Sequence, residues 1–309
     1  MKIDLHIHST CSDGRMTPEE IFITAKERDI EVISITDHDS LDCQEAAGVL
    51  SREFAVGYIF GLELNVSFSH PGYRRGKPIS LDFLAYDYGI TYGPLIERLQ
   101  ELREYRKRRA ERILRNVNQE LAREGLRELT QADLDAIQGS VDGTFGRPHI
   151  ADYLVKKGVV ADRQEAFDRY LVKCNVPKMP LSLEEASHLV KGAGGKLILA
   201  HPNHPRGTSL ISYTRSLGEQ QEIIEDSMLP YIDGIECWHS SQDKETTASY
   251  MAFAKRHGLL MTGGSDCHQQ PVLMGTVKVP SFVIGQFGSH VADSRAKSKR
   301  RKVKASCHQ

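Results

Sequence analysis

Two histidines at alternate positions, His6 and His8, stand in the apolar run Ile3-Asp4-Leu5-His6-Ile7-His8 near the start of the chain. Residues two apart in a strand project to one face, so this run aims two imidazoles at a common point. Asp13 follows in Cys11-Ser12-Asp13-Gly14, and His38 appears in Thr36-Asp37-His38-Asp39 directly after a second apolar run. Glu63 ends a third such run, His201 follows Lys196-Leu197-Ile198-Leu199-Ala200, and Asp266 and His268 follow Leu259-Leu260-Met261-Thr262. Imidazole and carboxylate without thiolate are the donor set of Zn, Mn or Fe.

The elements that must position these residues can be read from patterning. Thr17-Pro18-Glu19-Glu20 is a capping box that opens a helix to about Arg28. Glu31–Thr36 reads as a buried strand, and Ser40 as the cap of a helix through Arg52. Gly57–Leu62 and Pro78–Ala85 read as the third and fourth strands, joined by a Gly/Pro turn too short for a helix, hence a hairpin or wide loop. From about Thr91 the pattern changes. Pro94 to Gly125 carries a helical stripe of Ile96, Leu99, Leu102, Ile113, Val117 and Leu121, and helical segments continue to about Lys173. Ser182-Leu183-Glu184-Glu185 opens another helix. Strands at Lys196–Ala200, Asp233–Trp238 and Leu259–Thr262 follow, with a helix over Asp243–His257.

Seven strands, most followed by a helix, predict an α/β chain: a seven-stranded β/α barrel of the TIM-like kind with an inserted helical subdomain. The expected boundaries are 1–90 with 182–285 for the barrel, 91–181 for the insertion, and 286–309 for a basic, disordered tail. In such a barrel the active site lies at the C-terminal ends of the strands, where the candidate ligands fall. The 40 Lys and Arg balance 41 Asp and Glu, so nothing global marks a nucleic-acid or membrane protein. No apolar segment approaches the roughly 20 residues of a membrane span, and no signal peptide is visible. The cysteines, Cys11, Cys43, Cys174, Cys237, Cys267 and Cys307, have no paired spacing and read as reduced thiols of a cytoplasmic protein.

Taken together, His6-x-His8, Asp13, Thr36-Asp37-His38, Gly61-x-Glu63, His201-Pro202 and Ser265-Asp266-x-His268 resemble the polymerase and histidinol phosphatase (PHP) family of metal-dependent phosphoesterases. The inserted block, through Gly146-Arg147-Pro148-His149-Ile150-Ala151, resembles the stand-alone branch that includes nucleoside bisphosphate phosphatases and 5′-acting nucleases. The resemblance implies a distorted seven-stranded β/α barrel holding two or three divalent metals, Mn, Fe or Zn, with Mg as a further candidate. It implies His6, His8, Asp13, His38, Glu63, His201, Asp266 and His268 as ligands, with Glu63 bridging. One position departs from the family: the fourth strand usually carries a histidine ligand where this chain has Asp82. An aspartate there adds charge: either the second metal position is retained with a harder oxygen donor, which favours Mn or Mg character, or that position is weakened.

The chemistry implied is in-line attack of a metal-bound hydroxide on phosphorus. Arg147 would hold phosphate oxygens bidentately, and His149 would bind phosphate or protonate the leaving group, with Glu63 and His201 beside the reacting centre. The leading expectation is a phosphomonoesterase acting on a small nucleotide-like substrate. A 5′-3′ exonuclease on short RNA or DNA oligonucleotides and an amidohydrolase-type C–N hydrolase are the alternatives. The partner is then a small phosphorylated molecule or a short oligonucleotide, not a membrane, and the oligomeric state is left open.

Overall fold

The structure is a computed structural model, and it describes residues 1–139, 147–205, 207–268 and 272–288. The expected tail, including Cys307, lies outside the described residues from position 289 on. The chain divides into two compact units, residues 1–96 with 181–309, and residues 97–180.

The first unit carries eight strands in two sheets. β1 (Ile3–Ile7), β2 (Val32–Ile35) and β3 (Gly57–Tyr58) form a parallel sheet in that order. β4 (Gly61–Phe68), β5 (Ile79–Tyr86), β6 (Lys196–Leu199), β7 (Gly234–His239) and β8 (Leu260–Gly264) form the other. In it β4 and β6 run antiparallel to β5, while β6, β7 and β8 are parallel. This corrects the expected seven-stranded barrel, since no ladder closes the described strands into one. Two features account for the difference. The apolar run at Gly57–Leu62 is broken at Ile59-Phe60 into β3 and the start of β4, which belong to different sheets. The short return from β4 to β5 also forces an antiparallel pair, because a parallel pair would need a long crossover. The sheets touch at isolated bridges, Ile7 with Cys267 and His38 with Glu63.

Close approach at these seams constrains the sequence. A Cβ on Gly264 would lie 2.3 Å from the His6 nitrogen and 2.4 Å from its Cβ, so glycine lets β8 press against β1. Helix α1 (Pro18–Glu27) starts on the predicted capping box, Thr17 accepting from Glu20 N–H and Glu20 from Thr17 N–H. Helix α2 runs over Gln44–Phe54, later than the sequence suggests, with Cys43 rather than Ser40 at its cap position. Ile21, Phe22 and Ala25 of α1 and Ala47 of α2 pack on Ile7, Ile33 and Ile35 of the parallel sheet.

Helix α3 (Gly93–Arg123) begins in the first unit and runs into the second, where α4 (Gln131–Gly139), α5 (Arg147–Lys156) and α6 (Arg163–Ala166) follow. Ile113, Val117 and Leu121 of the predicted stripe join Ile150, Leu154 and Tyr170 in one buried cluster. Asn118 fastens the chain after α3 by donating to Leu129 O at 2.7 Å and accepting from Leu129 N–H at 2.8 Å. In the first unit again, α7 (Leu183–Gly192), α8 (Leu217–Ser227) and α9 (Lys244–His257) start on Ser182, Ser216 and Asp243 caps. No helix among the described residues is long and apolar enough to cross a membrane.

Candidate metal centre

The end of β1 supplies His6 and His8, β4 supplies Glu63, and the turn after β8 supplies Asp266. His6 Nε2 lies 3.4 Å from Glu63 Oε2 and 3.3 Å from Asp266 Oδ1. His8 Nε2 lies 3.1 Å from Glu63 Oε2 and 3.3 Å from Asp266 Oδ1. These atoms are close yet not aimed at one another: His6 Nε2, His8 Nε2 and Asp266 Oδ1 are buried and make no hydrogen bond. Buried polar atoms ordinarily find a partner. Donors bound at about 2.0–2.2 Å to one cation would stand about 3.0–3.4 Å from their neighbours. The four side chains therefore fit a divalent metal.

Two further groups adjoin it. His38 Nδ1 approaches Glu63 Oε2 at 3.2 Å, and His38, Glu63 and Asp82 each offer a donor atom within 4.8 Å of the others. Asp82 is held in place by Asn65, whose Nδ2 donates to Asp82 Oδ1 at 2.6 Å across the β4–β5 pair. Asp13 Oδ1 lies 3.4 Å from His268 Nε2 and 3.5 Å from His8 Nδ1, and these three with His38 form the last group. His268 stacks on His8 with ring centroids 3.9 Å apart. His201 sits beside the groups, its Nε2 at 3.1 Å from Glu63 Oε1. Its Nδ1 is buried without a hydrogen bond.

Several supporting residues escaped the sequence reading. Glu236 on β7 is buried, with Oε1 at 3.0 Å from His6 Nδ1 and Oε2 accepting from His201 N–H at 2.9 Å. It thereby fixes the His6 ring with Nε2 free to bind a cation. Asp4 accepts from the N–H groups of Ser265 and Gly275, both at 2.8 Å, and ties the turn after β8 to β1. Asp37 accepts from Ser9 N–H at 2.7 Å and from the hydroxyls of Ser9 and Ser12 at 2.6 Å, fixing the loop that carries Asp13. His239 is buried with Nε2 at 3.3 Å from Asp266 Oδ2. The signal for Asp4 and Glu236 was present: a carboxylate inside a strand of apolar neighbours, too costly to bury without a purpose.

The charges interlock. Burial alone would push His6 down, but Glu236, Asp266 and Glu63 outweigh it and hold the imidazole well above its ordinary value. His8 is likewise raised against burial by Asp266 and Glu63, and His201 is raised to about 9 against burial by Glu63. Burial works to raise Glu63 and Asp266, yet the surrounding histidines hold both well below the usual carboxylate range. Asp82 is pushed up by burial and by Glu63. Without cations the cluster thus carries protons in their place. Asp39, His201 and Asp266 have φ of 46°, 24° and 54°. Such left-handed non-glycine residues cost about 1–3 kcal/mol each and gather at functional sites.

Arg147 and His149 belong to the second unit, in the first turn of α5. The Arg147 guanidinium donates to Leu171 O at 3.4 Å and lies 5.5 Å from the Phe167 ring centroid. The structure does not bring these two residues into any of the ligand groups above, and Gly146 of their motif lies outside the described residues.

The PHP domain family matches residues 4–175, more than half of the chain. A 5′-3′ exoribonuclease of Haemophilus influenzae is 28% identical over 274 residues, covering 86% of this chain and 90% of that one. A 3′,5′-nucleoside bisphosphate phosphatase of Chromobacterium violaceum is 29% identical over 281 residues, covering 86% and 87%. The crystal structure of a protein from Bifidobacterium adolescentis, provisionally assigned as a metal-dependent phosphoesterase, superposes with a TM-score of 0.71 at 28% identity over 94% and 96% of the two chains. With that match spanning the residues that build the cluster from Asp4 to Asp82, the chain belongs to the PHP domain family, as a metal-dependent hydrolase of phosphate esters.

Proposed function

We propose that the chain hydrolyses the phosphomonoester of a small nucleotide-like substrate, yielding an alcohol and inorganic phosphate. What supports this reading most is the convergence of His6 Nε2, His8 Nε2, Glu63 Oε2 and Asp266 Oδ1 on one point, with three of those atoms lacking a hydrogen bond. His6, His8, Glu63 and Asp266 would hold one cation, His38, Glu63 and Asp82 a second, and Asp13 with His268 a third, with Glu63 as the bridge. Two or three divalent ions, Mn, Fe or Zn, supply Lewis acidity and a nucleophile at neutral pH when bound. Asp82 in place of an imidazole shifts the second position toward harder cations, Mn or Mg.

The remaining roles fall to the chain itself. Glu236 and Asp37 hold His6 and the Asp13 loop in position. His201 Nε2 lies against Glu63 Oε1 at 3.1 Å, beside the reacting centre, where it would join the ligands or serve the reaction. Arg147 and His149 bind the phosphate or serve its leaving oxygen, a role that rests on their motif. The second reading, exonucleolytic cleavage of short oligonucleotides, is favoured by the exoribonuclease relative. The described cysteines are free thiols, in keeping with a cytoplasmic location. The test is phosphate release from a panel of nucleoside mono- and bisphosphates after loading with Mn, Fe or Zn. Release suppressed by chelation is expected; no release with any metal contradicts the reading.

A further inference from the structure

We propose that Cys11 and Cys43 are a peroxide-sensitive thiol pair, and that the disulfide they form withdraws Asp13 from the metal cluster. The switch regulates the metal centre, and what it turns off rests on the phosphoesterase reading. All of its residues lie in the first unit.

Asp37 is the starting point. Cys11, Asp37 and Cys43 bring two sulfurs and a carboxylate oxygen within 4.8 Å of one another. That is the spacing of a soft-metal site, but the carboxylate is already full. Asp37 Oδ1 accepts from Ser9 N–H and the Ser12 hydroxyl, and Oδ2 accepts from the Ser9 hydroxyl and, at 3.0 Å, the Cys43 thiol. A carboxylate offers about four acceptor sites, so none is left for a cation. What stays within reach of each sulfur is the other sulfur. Both are free thiols, Cys43 buried and Cys11 partly open to solvent. Asp37 and Asp42 face Cys11 and oppose a thiolate there, whereas the Cys43 thiol beside it favours one. Position, more than acidity, makes these two a pair.

The two thiols are held differently. Cys43 directly precedes α2, whose first residue Gln44 is pinned. Gln44 Nε2 donates to Ile35 O at 3.0 Å and Gly61 O at 2.7 Å, and its Oε1 accepts from the Tyr58 hydroxyl at 2.9 Å. Cys11 sits in the short turn between His8 and Asp13, its N–H donating to Ser9 Oγ at 3.1 Å. Bonded sulfurs stand about 2.0 Å apart, so closing the bond moves Cys11 toward Cys43. It also removes the S–H that Asp37 accepts. Asp37 clamps Ser9 and Ser12 on either side of Cys11, and Asp13 follows Ser12 in the chain. Oxidation pulls on the turn and loosens its clamp together, and Asp13 leaves His8, His38 and His268.

Hydrogen peroxide is the oxidant. The Cys11 sulfur attacks a peroxide oxygen, the O–O bond breaks, and Cys11 becomes a sulfenic acid with release of one water. The Cys43 sulfur then attacks the Cys11 sulfur. The S–S bond forms, the S–O bond breaks, and hydroxide leaves with the Cys43 proton as a second water. Two thiols give up two electrons and one peroxide becomes two waters. A small thiol reverses the bond by exchange.

Peptide mapping and metal titration test the switch without turnover. The metal-free full chain is treated with hydrogen peroxide, freed of it, digested and analysed by mass spectrometry. A Cys11–Cys43 cross-link that dithiothreitol removes is expected. The cross-linked protein should bind manganese at one position at least about tenfold more weakly, and reduction should restore the affinity. Cys11→Ser, and Cys43→Ser with its hydroxyl kept for Asp37, should bind manganese equally before and after peroxide. By linkage, saturating manganese should raise the reduction potential of the pair by about 30 mV for each tenfold difference in affinity. Cys11 oxidised without Cys43 as its partner, or manganese binding unchanged in the cross-linked protein, overturns the switch. Cross-linking that weakens manganese binding, in a protein whose reduced form releases no phosphate from any ester, keeps the switch and overturns the phosphoesterase reading instead.

Discussion

Glu236 shows how much of a metal centre lies behind its ligands. The carboxylate touches His6 Nδ1 and the His201 backbone, on the other ring nitrogen from Nε2. Its work is orientation and basicity, so Glu236→Ala should lower divalent-metal affinity about 10- to 100-fold, read by competition with a chromogenic chelator. Unchanged affinity would remove Glu236 from the account. The raised imidazoles make a second prediction, with a sign. His201 sits at about 9 in the folded, metal-free protein against an ordinary 6.5. Its contribution to stability is fully present below pH 6.5 and is lost as pH rises through about 9. The Tm of chelator-treated protein should therefore fall over that window. Metal uptake near pH 7 should release protons from His6 and His8, seen by calorimetry in buffers of different ionisation enthalpy.

Among the elements, the seam between β1 and β8 carries the most risk. Gly264→Ala would put a methyl within 2.4 Å of His6 Cβ, so strand or histidine must move. A loss of about 1–3 kcal/mol in stability, the usual cost of overpacking, should come with weakened metal binding; denaturant melts and metal titration check both. How much could be read in advance also divides at this scale. Strand ends were legible because a histidine or carboxylate just past an apolar run stands out, as at His38, His201 and Asp266. The hairpin of β4 and β5 was legible from its short return. Pairing was not, because an apolar run records that a strand is buried and not which neighbour it joins. The break at Ile59-Phe60 splits one apparent strand between two sheets, and no residue type marks it. Helix α8 was missed although Ser216 and Glu219 have cap spacing, since its apolar stripe is short. Asp4 and Glu236 were passed over although each is a carboxylate inside an apolar strand, while Asp82 stood out only through the family pattern.

For the whole molecule, the ligand candidates fall in the first unit and Arg147 and His149, which we propose bind phosphate, fall in the second. Metal binding and phosphate recognition should therefore respond to different substitutions. Arg147→Ala is expected to lower kcat/KM for a phosphomonoester by at least about tenfold, the scale of one charge-assisted contact, with metal content unchanged. Activity unaltered by that change would remove Arg147 from phosphate binding. The most direct test is anomalous diffraction from crystals grown with manganese. Peaks are expected within about 2.0–2.3 Å of His6 Nε2, His8 Nε2, Glu63 and Asp266. Peaks confined to other residues, or an absence of any ion among these four at saturating manganese, would contradict the account.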